Sequence, residues 1–183
     1  MIGITGGIGS GKSRIARELA RRGYRIYDCD REAKRIIAEE ASVQQAIIGL
    51  LGVEAFVNGQ YNTAYVAKRV FGDPQILTQL NAIVHPAVQR DIQAQQPDFV
   101  ESAILYEAGI DRLCDKVIVV DAPEQTRIER TIGRDYQDVM SPENIDKVRA
   151  RMRTQQAHTG DLLIWNDGHT PTPEIVDKII EWM

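Results

Sequence analysis

The sequence predicts an α/β protein built on a doubly wound, parallel, five-stranded sheet. Apolar runs alternate with amphipathic helical stretches along most of the chain, as in βαβ architecture. One run, Val117-Ile118-Val119-Val120, is continuously apolar, as suits a parallel strand covered on both faces. A glycine-rich segment, Gly6 to Ser13, separates a short first strand from the first helix. The 183 residues allow one domain with inserted subdomains, and the 43% hydrophobic content can fill a sizeable core. A net charge of -4, from 22 basic and 26 acidic residues, gives no global attraction to nucleic acid or membrane. Cys29 and Cys114 lack C-x-x-C spacing and read as small core residues in a reducing compartment, not as a zinc site or disulfide framework. The start carries no leader pattern, and no apolar run reaches the length of a membrane span, so a soluble, cytoplasmic protein is expected, with monomer and oligomer both left open by the sequence.

In chain order, Ile2 to Thr5 form the first strand. Ile15, Ala16, Leu19 and Ala20 line one face of the helix that follows, and Gly23 terminates it. Tyr24 to Tyr27 make a second strand running into Asp28-Cys29-Asp30; if the chain is still extended there, the two carboxylates share a side. From Arg31 to Gln96 the pattern is helical. Gly49, Gly52 and an Asn58-Gly59 turn break it, and its clearest helix starts near Pro74, with Pro86 expected to kink or split it after His85. One crossover helix would suffice between two parallel strands, so much of this stretch is an inserted helical subdomain. Phe99 to Tyr106 form a third strand ending at Glu107, and Lys116 to Asp121 a fourth. A helix with Pro123 as its first residue runs to Arg134. Another starts at Ser141-Pro142, Leu162 to Trp165 form a fifth strand, and Pro173 to Met183 the last helix.

Gly6-Gly7-Ile8-Gly9-Ser10-Gly11-Lys12-Ser13 fits G-x-x-x-x-G-K-[ST], the P-loop, which makes the fold P-loop NTPase-type. Its glycines let successive N–H groups converge on one point, and the next helix presents its positive end there, so the occupant is a polyphosphate. Lys12 supplies a charge to the β- and γ-phosphates, and the Ser13 hydroxyl a ligand to Mg2+. Strand ends of an open parallel sheet bring Asp28 and Asp30 to the same edge. Asp28 reads as a helix cap or supporting residue; Asp30 is either a second cap or the base that takes a proton from an attacking hydroxyl. Arg127, Arg130 and Arg134 lie on and after one helix, with Arg130 and Arg134 sharing a face most closely. They form either a solvated face or part of a hinged lid stabilising the transferring phosphoryl group; Arg151 and Arg153 are weaker candidates. His85 on its apolar stripe is structural before it is catalytic. Asp121 and Glu107, at strand ends, are unranked alternatives for ordering the metal or substrate.

Taken together, G-G-I-G-S-G-K-S, D-C-D at Asp28 to Asp30, L-N-A-I-V-H-P at Leu80 to Pro86, V-I-V-V-D-A-P at Val117 to Pro123 and R-I-E-R-T-I-G-R-D at Arg127 to Asp135 closely resemble the dephospho-CoA kinase family. The resemblance implies transfer of the γ-phosphate of ATP to the ribose 3′-hydroxyl of dephospho-CoA, the last step of coenzyme A synthesis. It also implies a nucleotide-binding core (1–30, 97–133 and 157–183), a helical insertion for the CoA substrate (31–96) and a lid (134–156). Asp30, Lys12 and Arg134 are then the catalytic set. Gly9, Ser10, Gly11, Lys12, Ser13, Arg14, Arg130, Arg134 and Asn166 hold ATP; Asp30, His85 and Glu107 hold the acceptor; Ser13 meets the metal. The chain departs from the family pattern at Ala103, where proline is usual, at Arg14, where a small hydroxyl residue is usual, and in a shortened stretch between Arg151 and Asp161. The nearest rival reading is a nucleoside- or nucleotide-type kinase with another acceptor. A guanine-nucleotide switch is disfavoured because the chain has neither N-K-x-D nor D-x-x-G, so ATP is expected over GTP.

Overall fold

The computed structural model describes residues 1–153 and 159–183. In chain order these form β1 (Ile2–Thr5), α1 (Lys12–Arg21), β2 (Ile26–Asp28), α2 (Cys29–Glu39), α3 (Ala41–Leu51), β3 (Phe56–Val57), β4 (Gln60–Tyr61), α4 (Thr63–Phe71) and α5 (Pro74–Gln95). There follow β5 (Phe99–Glu101), β6 (Lys116–Asp121), α6 (Glu124–Asp135), α7 (Pro142–Arg153), β7 (Leu162–Trp165) and α8 (Thr172–Trp182). Two compact units result, one of Met1–Tyr27 with Pro97–Met183 and one of Asp28–Gln96.

The first unit carries the five-stranded sheet, ordered β2-β5-β1-β6-β7. β1 runs parallel to β5 and β6, and β6 parallel to β7, with Ile4 opposite both Glu101 and Ile118. Ile4, Ile118, Val120 and Ile164 cover Ile15 and Leu19 of α1 and Ile175, Val176 and Ile179 of α8. Full burial of each such side chain stabilises by roughly 1.5–3 kcal/mol, which fixes α1, and so the loop before it, against the sheet. Helices α6 and α7 have a small core of their own in Ile128, Ile132 and Val148, flanked by Tyr136, Ile145 and Met152. Ser141 caps α7, its Oγ accepting from the Asn144 N–H at 3.2 Å, as the Ser-Pro start predicts.

The second unit packs α2, α3 and α4 on α5. Arg35 ties α2 to α5 by donating to Asp91 at 2.6 Å, and is itself held on α2 by Glu32 at 2.6 Å. Asn58 and Gly59, at φ 51° and 76°, turn a two-stranded hairpin that the helical reading of this stretch overlooks; two residues per strand are too few for alternation to show.

Four expectations are corrected. The third strand stops at Glu101, because Ser102 breaks it: its Oγ accepts from the Ile104 N–H at 3.2 Å, and a series of turns follows. Glu107 therefore stands in the turn segment and not at the strand end. Cys29 is already helical, so Asp28 and Asp30 do not share an extended side. Of the expected kink or split in α5, the split does not occur: the helix runs on through Pro86, and both Pro86 and Ala82, whose carbonyl loses its partner, are exposed, so that carbonyl is open to solvent. Pro123 caps α6 from outside, and Glu124 is its first residue. Part of the expected lid, 154–156, and most of the shortened stretch before Asp161 lie outside the described residues. No described helix is long and apolar enough to cross a membrane.

Candidate active site

The loop between β1 and α1 has the geometry its glycines suggest. Gly6, Gly9 and Gly11 have φ of 151°, 75° and 95°. Gly11 precedes α1 in the left-handed conformation, no side chain caps the helix, and its first turn carries no acid, so its positive end faces the loop without a local counter-charge. Space also demands these glycines: a Cβ on Gly9 would lie 2.3 Å from the Arg127 carbonyl, and one on Gly11 2.2 Å from Nδ2 of Asn166. The hydroxyls of Thr5 and Ser10 are buried with no hydrogen-bond partner among the described residues.

A collar from α6 and the end of β7 holds the loop by its carbonyls. Arg127 Nε donates to Ile8 O at 2.9 Å. One Arg130 nitrogen donates to Ser10 O at 3.2 Å, Gly9 O at 3.4 Å and Asn166 O at 3.1 Å. Asn166 Nδ2 donates to Ser10 O at 2.8 Å. Burial pushes the Arg130 pKa down, and the neighbouring Arg14 charge adds to this. Arg134 lies further along α6, paired with Asp135 at 2.6 Å. The structure thus brings Arg127 and Arg130 to the loop and leaves Arg134 paired with Asp135 at the end of α6, because the loop sits near the start of that helix.

The residue that sequence reasoning missed is Glu101. It ends β5, is 7% exposed, and its Oε1 accepts from the Ser13 hydroxyl at 2.9 Å. The signal was an acid closing the apolar run Phe99-Val100, obscured because the run resumes after Ser102. A serine hydroxyl and a buried carboxylate are hard oxygen donors that fit Mg2+, which commonly takes one or two protein oxygens and completes its shell with phosphates and water. No group of three or more His, Cys, Asp or Glu that could cage a metal occurs among the described residues.

In the second unit, Asp28 is the N-cap of α2, its Oδ1 accepting from the Arg31 N–H at 3.0 Å. Asp30 is exposed in the first turn of that helix. His85 is half-buried on α5, and burial pushes its pKa down, which favours neutral imidazole. Glu107 is exposed.

The sequence profile of the dephospho-CoA kinase family matches residues 1–172. A dephospho-CoA kinase of Porphyromonas gingivalis is 39% identical over 161 residues, covering 85% of this chain and 77% of its own. Among solved structures, TT1252 from Thermus thermophilus superposes with a TM-score of 0.81 at 31% identity, covering 99% of this chain and 95% of that one. The dephospho-CoA kinase from Campylobacter jejuni, 19% identical, shares the fold at a TM-score of 0.65 over 98% of this chain and 94% of its own.

Proposed function

The chain belongs to the dephospho-CoA kinase family and is an ATP-dependent kinase acting on dephospho-CoA at the last step of coenzyme A synthesis; from that premise we propose how its residues divide the work. The loop N–H groups of Gly9, Ser10, Gly11, Lys12 and Ser13 cradle the ATP phosphates, and the Lys12 ammonium neutralises the β- and γ-oxygens. Arg14 adds charge at the same helix end. Arg130 and Asn166 serve the nucleotide by shaping the loop, and Arg134, at the start of the proposed lid, closes on the transferring group. The observation that supports this reading most strongly is the Ser13–Glu101 hydrogen bond at the root of the loop. These two residues would hold Mg2+, which, when bound, neutralises charge between the β- and γ-phosphates.

Asp30 is the general base. It accepts the proton of the ribose 3′-hydroxyl as O3′ bonds to the γ-phosphorus and the bond from that phosphorus to the β–γ bridging oxygen breaks, releasing ADP. His85, Glu107 and the helical insertion 31–96 contact the acceptor. The enzyme works in the cytoplasm as a monomer.

The test is ADP release with ATP and Mg2+, comparing dephospho-CoA with AMP, CMP and nucleosides. Dephospho-CoA should be the preferred acceptor, and failure of dephospho-CoA to accelerate release would sink the assignment. Asp30→Asn should lower kcat by about 10²-fold or more while ATP still binds; unchanged turnover would return Asp30 to a capping role.

A further inference from the structure

Helices α6 and α7 enclose a second cationic feature beside their apolar seam. It is a cleft of about 480 Å³ lined by Glu124, Arg127, Arg149, Met152 and Arg153. Three guanidiniums meet one carboxylate there. Arg149 pairs with Glu124 at 3.1 Å, and Arg127 with Asp121 at 3.4 Å while also holding the Ile8 carbonyl. Arg153 has no ion-pair partner among the described residues. A concavity with this surplus of positive charge is suited to a polyanion, and guanidinium forks match phosphate oxygens in particular.

We propose that this cleft seats the 5′-diphosphate of dephospho-CoA. The inference rests on the function proposed above. ATP's phosphates are assigned to the loop N–H groups, so the remaining polyanion of the reaction is the diphosphate that joins the acceptor's adenosine to its pantetheine arm. That diphosphate hangs from C5′ of the same ribose whose 3′-hydroxyl reacts. Arg127 is a wall of the cleft and also grips the phosphate loop, so an acceptor anchored here presents its hydroxyl at a fixed offset from the ATP site. The Met152 thioether offers an apolar surface to the branched carbons next to the diphosphate. The volume falls within the range of about 300–1,000 Å³ usual for small-molecule sites.

Steady-state kinetics with both substrates varied, together with calorimetric titration of dephospho-CoA, tests this. Wild-type protein first establishes that dephospho-CoA is the acceptor; failure there removes the proposed function itself. Given an active wild type, Arg153→Gln should raise KM for dephospho-CoA by about tenfold, the scale of one charge-assisted hydrogen bond. KM for ATP should not move, and Arg153→Lys should restore part of the loss. Calorimetry should show the same weakening in Kd for dephospho-CoA, and thermal melting should show the fold intact. An unchanged KM and Kd for dephospho-CoA in Arg153→Gln and in the Arg149→Gln/Arg153→Gln double variant would overturn the proposal while leaving the kinase assignment standing. A rise confined to KM for ATP would overturn it equally, by giving the cleft to the nucleotide.

Discussion

Glu101 is buried beneath the phosphate loop, where a carboxylate is costly unless hydrogen-bonded or paired. In the Mg2+ site proposed above, its contact with Ser13 would make it a supporting ligand or a direct one, and either role would require the negative charge. Glu101→Gln keeps the shape and removes that charge; initial rates titrated with Mg2+ should fall by about 10–100-fold at low metal and need higher metal for saturation. Arg14 presents the opposite situation. It places positive charge in the first turn of α1, against the helix dipole, and its charge acts on Arg130. Such placement costs about 0.3–1 kcal/mol and is relieved when an anion arrives. Arg14→Thr should therefore raise the melting temperature of the nucleotide-free protein slightly while weakening ATP binding measured by calorimetry. Part of this scale was legible in advance: the left-handed backbone at Gly9 and Gly11 and the capping role of Asp28 follow from a local pattern. Glu101 was not, since its importance arises from strand register, which places it opposite Ile4 from far along the chain.

The pair α6–α7 is pinned at its far end by Asp135, which accepts from Arg134 at 2.6 Å and from Arg151 at 2.7 Å. The Arg134 guanidinium, with Arg151 adding to it, holds the Asp135 carboxyl at about 2, below its ordinary 3.8. A carboxylate depressed in the folded state contributes stability that is present above its unfolded pKa and lost as pH falls through the folded one. The hairpin should therefore lose stability between about pH 4 and pH 2, and hydrogen exchange of the α7 amides should show this loss, with the slope reduced in Asp135→Asn. Helical spacing predicted that Arg130 and Arg134 share a face, but spacing carries no information about which turn of the helix meets the loop. The meeting point is the first half of α6, so Arg127 reaches the Ile8 carbonyl and Arg134 does not contribute to the collar. The same limitation explains the third strand, where an apolar run suggested length that the Ser102 turn cuts short.

Over the whole molecule, the alternation of apolar runs and helices conveyed the five-stranded sheet, because each strand is a contiguous sequence signal. The division into two units depends on long-range packing. Each unit contains one cysteine, Cys29 in Asp28–Gln96 and Cys114 in the sheet unit. Burial pushes the Cys114 thiol up to about 11, so both side chains should resist thiol reagents in the native state and react only on opening. In the binding mode proposed above ATP occupies the loop of the sheet unit, and a ligand at 100 times its Kd stabilises by about 2.7 kcal/mol. Cys114 labelling through openings that unfold the site should then slow by about 100-fold, measured against Cys114→Ser as the control.

The collar around the phosphate loop has a consequence for the donors inside it. The carbonyls of Ile8, Gly9 and Ser10 each accept from a guanidinium, and the Ser10 carbonyl also from Asn166. Each of these carbonyls shares a peptide plane with the N–H of Gly9, Ser10 or Gly11. A cation drawing electron density toward one end of a peptide group leaves the hydrogen at the other end more positive, a cooperative gain of roughly 10–30% per bond. Part of the attraction the loop would exert on the proposed phosphates is thus electronic, supplied by α6 and by Asn166 just after β7 through side chains that bind peptide oxygens.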